Sequence, residues 1–119
     1  MSESPKIYDL EERTAKFGEN VLKFCKSVKL NEIVRPLIVQ LVRSATSIGA
    51  NYMEANGASS KKDFRNKIYI CKKEAQESQH WLRMLSVALP ERKTELRKLW
   101  QEVHELVLIF QKITSTLKH

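Results

Sequence analysis

The sequence predicts an all-α protein folded as an antiparallel up-down-up-down four-helix bundle. Apolar side chains return every three or four residues in four separate stretches of the 119-residue chain, which is the spacing of a buried helix face. The joints between those stretches are short and polar or breaker-rich, which forces consecutive helices to run antiparallel. Nothing in the chain reads as a strand.

The first stripe is Leu10, Thr14, Phe17, Val21, Phe24 and Val28, opened by Asp9 and Glu12 in a cap-like arrangement. After the joint "KLNE" the second stripe runs Val34, Ile38, Leu41, Ala45, Ile48, Tyr52 and Ala55, with Pro36 tolerated in a first helical turn. The joint "GASS" ends in Ser60, which with Asp63 forms an S-x-x-D start. The third stripe follows: Phe64, Ile68, Cys71, Ala75, Ser78, Leu82, Leu85 and Leu89. Beyond "LPERK" comes the fourth: Leu96, Leu99, Val103, Leu106, Phe110, Ile113 and Leu117. Gly49 and Gly57 suit close packing and a helix stop, respectively.

With 42% hydrophobic residues the chain has material for one core, so residues 1–119 read as a single domain. The N-terminus lacks the apolar run of a secretory signal and carries acidic residues unlike an organellar presequence, which points to the cytoplasm. Cys25 and Cys71 sit far apart at apolar positions, as reduced core thiols do. A net charge of +7 and a pI near 9.5 favour polyanionic partners.

The second helix is unusual because its far face is also apolar or small. Opposite the core stripe stand Val39, Thr46, Ala50, Met53 and Gly57, with Val42 and Gly49 on the flank. A membrane span does not explain this, because Gln40, Arg43, Ser44, Asn51 and Glu54 are too polar for one. Ile70, Trp81 and Met84 similarly lie off the core stripe of the third helix. Together Val39, Val42, Arg43, Thr46, Ala50, Met53, Ile70, Trp81 and Met84 are expected to form the interface of a homo-oligomer. Gln40, Ser44, Ser47, Asn51 and Glu54 form a polar line along one edge of the second helix. Their expected role is to bond to one another, to Arg43 or to a neighbouring subunit, fixing register.

The candidate nucleic-acid-binding residues are Lys61, Lys62, Arg65, Tyr69, Lys72 and Lys73 in "SKKDFRNKIYICKK". Cations at helical spacing can follow phosphates while an aromatic ring stacks on a base, the chemistry of loosely specific binding to RNA or single-stranded DNA. A partner protein engaged without nucleic acid is the alternative. Catalytic signals are weaker. Glu77 and His80 spell the Glu-x-x-His of di-metal bundles once, where two copies are needed. Arg97 and His104 resemble the Arg-x(4 to 6)-His motif of the HEPN ribonucleases, also helical bundles, over two residues. The expectation is therefore no enzyme, no metal and no cofactor.

Several motifs in order are similar to one known family. "YDLEERTAKF" from Tyr8, Arg43-Ser44 with "SIGAN", Glu54-Ala55, "SKKDF" from Ser60, and Glu74-Ala75 with Glu77 and Trp81-Leu82 resemble the bacterial four-helix bundle proteins encoded in intervening sequences of 23S ribosomal RNA genes. The likeness runs by motif from Tyr8 to Leu82, and by pattern alone in the last helix. It implies a ring-like homopentamer and a distant kinship with the accessory protein of diversity-generating retroelements, whose basic pentamer engages nucleic acid and a reverse transcriptase. Ser47, Asn51 and Glu54 match the family's signature, and His80 stands where the family's pattern has an aromatic residue.

Overall fold

The computed structural model describes residues 9–117, so Tyr8 of the first motif lies outside the described residues. Four helices follow in order: α1 (Leu10–Lys26), α2 (Val34–Asn56), α3 (Lys61–Ala88) and α4 (Lys93–Thr116), with a short 3-10 turn at Pro90–Arg92. They pack as a four-helix bundle in the sequence α1–α2–α3–α4 around the core, with α1 returning to α4. Cross-helix pairs fix the directions. Thr14 meets Gly49 and Gly18 meets Thr46, Arg43 meets Glu77 while Lys67 meets Glu54, and Gln79 meets His104 while Lys72 meets Gln111. In each case rising numbers on one helix meet falling numbers on the next, the signature of antiparallel neighbours.

The helix starts have local causes. The Asp9 carboxylate accepts from the Glu12 amide, and Ser60 Oγ accepts from the Asp63 amide at 3.0 Å, so both starts satisfy an otherwise free donor as expected. At α2 the work falls to Asn31, whose side-chain oxygen accepts from the amides of Ile33 and Val34 at 2.9 and 2.8 Å.

All of the first two stripes are buried, as are Ile68 to Leu89 of the third and Leu96, Val103, Leu106 and Phe110 of the fourth. Phe64, Leu99 and Ile113 are only partly buried against that core. Gly18, Cys25, Val107 and Thr114 are buried as well, outside the expected stripes. Burial pushes the Cys25 thiol up to about 11 and the Cys71 thiol up to about 12. Both cysteines are free thiols.

The seams between helices differ in chemistry. The α1–α4 seam has the fewest contacts of the four and is bridged by polar groups. Arg13 on α1 forks onto Glu102 at 2.7 and 2.9 Å and also reaches Glu105, which raises its pKa further, chiefly through the Glu102 bond. Arg92 bonds to Ser27 and lies over the Phe24 ring. Among the described residues no helix is long and apolar enough to cross a membrane.

Candidate nucleic-acid interface

Within the polar line of α2, Gln40, Ser47 and Asn51 bond to one another or to Arg43, the last two through backbone carbonyls. The line lies along the α2–α3 seam, and most of its bonds go to backbone or to α3. Ser44 sits fully buried in the core, where its hydroxyl is 2.8 Å from that of Ser78. Ser47 donates to the Arg43 carbonyl and Asn51 to the Ser47 carbonyl, one turn back in each case. Glu54 pairs with Lys67 at 2.9 Å, and Gln40 accepts from the Arg43 guanidinium at 3.5 Å. The physical reason is direction: these positions point at a neighbouring helix of the same chain, and a helix carbonyl is the nearest acceptor for a short hydroxyl or amide.

Arg43 is the one member of the expected interface that is engaged in ion pairs. Its guanidinium meets Glu77 at 2.6 Å and Glu74 at 3.5 Å across the seam. This ties up the Glu of the Glu-x-x-His motif, while His80 is exposed and turns its ring edge-on to Trp81. Among the described residues no three His, Cys, Asp or Glu side chains converge as a metal site would need.

The remaining interface residues divide into two groups. Val39 and Met53 are 59% and 61% exposed, and Thr46, Ala50 and Ile70 are exposed beside them. A shallow groove of about 440 Å³ runs between this part of α2 and α1, bordered by Gly18, Leu22, Thr46, Gly49, Ala50 and Met53. Val42 and Trp81, by contrast, are half-buried against the chain's own core, and Met84 is half-buried. Within one chain, therefore, α2 is buried on its core side while its far face stands open.

The basic face occupies the first half of α3. Lys61, Lys62 and Lys73 are exposed, Arg65 and Lys72 are half-buried, and the Tyr69 ring is 38% exposed between the last two. The Arg65 guanidinium lies 5.2 Å from the ring centroid and the Lys72 ammonium 5.8 Å, so cations one turn before and one turn after flank the same ring. Arg65 also donates to the Tyr69 hydroxyl at 3.3 Å, and Lys72 donates to the Gln111 amide oxygen at 2.6 Å. Arg65 Nε is buried and makes no hydrogen bond among the described residues. None of the six residues is in an ion pair among the described residues. The cations at the seams are spent differently: Arg13, Arg43, Lys67 and Arg92 are each neutralised by a carboxylate.

The two ribonuclease candidates are separated in role. Arg97 borders an open cleft at the α3–α4 junction. His104 stacks on the Trp100 ring at 4.8 Å and 12°, with Nδ1 3.1 Å from the Gln79 amide nitrogen. This imidazole is thus held as packing beside an indole.

Comparison with known proteins agrees with this architecture. A crystal structure of a protein of unknown function from the S23 ribosomal protein family of Bacteroides thetaiotaomicron superposes with a TM-score of 0.78 at 28% identity, covering 87% of this chain and 96% of that one. No curated protein matches. The family model of the 23S rRNA-intervening sequence proteins matches residues 8–112, from the motif at Tyr8 through all but the last turn of α4. The motifs of the first three helices and the match across the fourth make one continuous assignment: the chain belongs to the 23S rRNA-intervening sequence protein family.

Proposed function

We propose that the chain is a non-enzymatic accessory protein that binds RNA or single-stranded DNA through the basic face of α3. The observation that carries this reading is the Tyr69 ring flanked by Arg65 and Lys72 on a face whose six residues form no ion pair among the described residues. A cation without a carboxylate keeps its full attraction for phosphate, and a half-exposed phenol offers a stacking surface to a base. A family named for sequences within 23S rRNA genes, and a structural neighbour from a family named for a ribosomal protein, are consistent with an RNA partner. The Tyr69 ring held between two of these cations is what separates the face from the exposed lysines of α1, which are likewise unpaired among the described residues.

The same protein is proposed to act as a homo-oligomer, five-fold as the family resemblance implies. Exposed Val39 and Met53 on the open face of α2 support this, since a second copy would cover apolar area that one chain leaves in water. Repetition of the α3 face around such an assembly would raise avidity without new contacts. A protein partner on the open face, with no nucleic acid involved, is the second reading, and the same exposed residues favour it.

Fluorescence-anisotropy titration of the purified protein against labelled structured RNA, single-stranded RNA and duplex DNA at two salt concentrations tests the proposal. Salt-sensitive binding to the RNA is the expected result. No binding at low salt would overturn it and make the +7 charge a solubility feature.

A further inference from the structure

At the end of α3 remote from the basic face, α3 and α4 diverge around an open cleft of about 400 Å³. That volume is in the range that accommodates a small organic ligand. Buried Leu82 and Leu96 lie at its base, Arg83 stands on the α3 side, Lys93 and Arg97 on the α4 side, and Trp100 forms a wall. No Asp or Glu lines it, and among the described residues none of the three cations is in an ion pair. The Trp100 ring is 36% exposed and is backed by the stacked His104, itself held by Gln79. The indole is therefore both presented and braced.

Three unneutralised cations, an apolar base and a braced aromatic wall fit a ligand that is planar and apolar at one end and anionic at the other. A nucleotide has that form. Stacking uses the indole, and the phosphate takes Arg and Lys donors without meeting a carboxylate.

The cleft also lies on the same flank of α3 as the basic face. Arg65, Tyr69, Lys72, Gln79 and Arg83 recur at helical spacing along one flank of α3, and the Lys72–Gln111 and Gln79–His104 contacts show that this flank faces α4. The six ion-paired carboxylates lie elsewhere. Glu54, Glu74 and Glu77 are drawn to the α2–α3 seam, while Glu102, Glu105 and Glu95 pair with Arg13 and Arg92, which reach toward α1. What is left is a polar track with cations and an aromatic ring at each end, Gln76 and Gln79 lying between them. Tyr69 and Arg83, which faces Trp100 across the cleft, are roughly 21 Å apart along the helix at about 1.5 Å per residue.

Resting on the nucleic-acid reading above, we propose that the ligand is a single strand lying along the α3–α4 seam, with one nucleotide seated in the cleft. Its base stacks on Trp100 and its phosphate is held by Arg83, Lys93 and Arg97. A duplex hides its base faces in its own stack, so it cannot use either ring.

The test uses the full chain with Trp81→Phe, so that Trp100 is the sole fluorophore, with circular dichroism confirming the fold. It is titrated with a single-stranded RNA of about ten nucleotides, with its duplex, and with AMP. The single strand is expected to quench Trp100 saturably and less so at higher salt, AMP to quench only weakly, and the duplex not at all. In anisotropy, Arg97→Glu with both tryptophans retained, and separately Trp100→Ala, should each weaken single-strand binding roughly tenfold or more. Quenching by AMP as tight as by the strand would overturn the track. Single-strand binding that leaves Trp100 unquenched and is indifferent to Arg97→Glu would overturn the cleft assignment while the α3 basic face stands. No binding of any nucleic acid overturns both.

Discussion

Neutralising the α3 face should flatten the salt dependence of nucleic-acid binding by an amount that the structure sets. Five cations of that face have no ion-pair partner among the described residues: Lys61, Lys62, Arg65, Lys72 and Lys73. If each displaces one counterion from a single strand, this face's share of the log–log slope of affinity against salt is about −3.5 per protomer, at roughly −0.7 for each contact. Raising salt from about 50 to about 200 mM would then cost roughly 130-fold in affinity. Replacing Lys61, Arg65 and Lys72 by Gln leaves two contacts, a slope near −1.4 and a loss of only about sevenfold. Gln removes the charge without adding the repulsion that Glu would. Lys16, Lys23 and Lys26 are exposed on α1, diagonal to α3, and their replacement by Gln provides the control. Both triple variants fall from +7 by three charges, so they share a net charge of +4. Anisotropy titrations at four salt concentrations give the slopes. An unchanged slope in the α3 variant, or an equal fall in both variants, would refute the local account and leave only non-specific attraction by net charge.

Three further outcomes are expected. The Ser44–Ser78 pair should be non-additive. Each hydroxyl also reaches a carbonyl of its own helix, Ser44 that of Leu41 and Ser78 that of Glu74, so either can be the donor between them, and Ser78→Ala should cost about 1 kcal/mol. The double Ala variant should cost less than the sum of the two single ones in urea denaturation, and strict additivity would exclude the coupling. The two buried thiols carry raised pKa values, so their protonated form is the one that the fold stabilises. Their contribution is intact below about pH 9 and is lost as pH climbs toward 11 and 12, at about 1 kcal/mol per thiol per pH unit. Urea denaturation at a series of alkaline pH values measures that fall, which should shrink in the Cys25→Ala variant. Val39→Asp with Met53→Asp should reduce the mass seen by light scattering to that of one chain, 13.9 kDa, without loss of helicity, whereas a wild-type protein already of that mass would remove the oligomer from the account.

Much of the fold was legible because helix periodicity reports directly which face is apolar. The stripes of α1 and α2 are buried at every position named. What periodicity does not report is which neighbour each flank meets. Ser44 read as part of a polar line along the helix edge and is a core residue, because its flank lies against Ser78 of α3. Trp81 read as outward and packs on the chain's own core, since a long ring can bend back over a helix edge. Val107 and Thr114 were missed because the buried arc of α4 is wider than a two-per-heptad seam. Asn31 was passed over within a joint, although an Asn three residues before an apolar run is a recognisable start signal. The basic run of α3 was visible in the sequence. Its lack of carboxylate partners was not, because that depends on contacts such as Arg13 with Glu102, distant in sequence and close only in the bundle.

The sparse α1–α4 seam bears on how the molecule opens. Its other neighbour, α2, holds α1 along close contacts at Gly18 and Gly49, whereas toward α4 the helix relies on arginine bonds at its two ends. Such groups are readily rehydrated, so separation along this line exposes less apolar surface than splitting any other pair of neighbours. The first helix should therefore behave as its own cooperative unit, with amides that exchange with solvent through a partial opening at lower free energy than those of α2 and α3. Because the basic face and the cleft belong to α3 and α4, that opening would leave the ligand-facing half of the bundle in place.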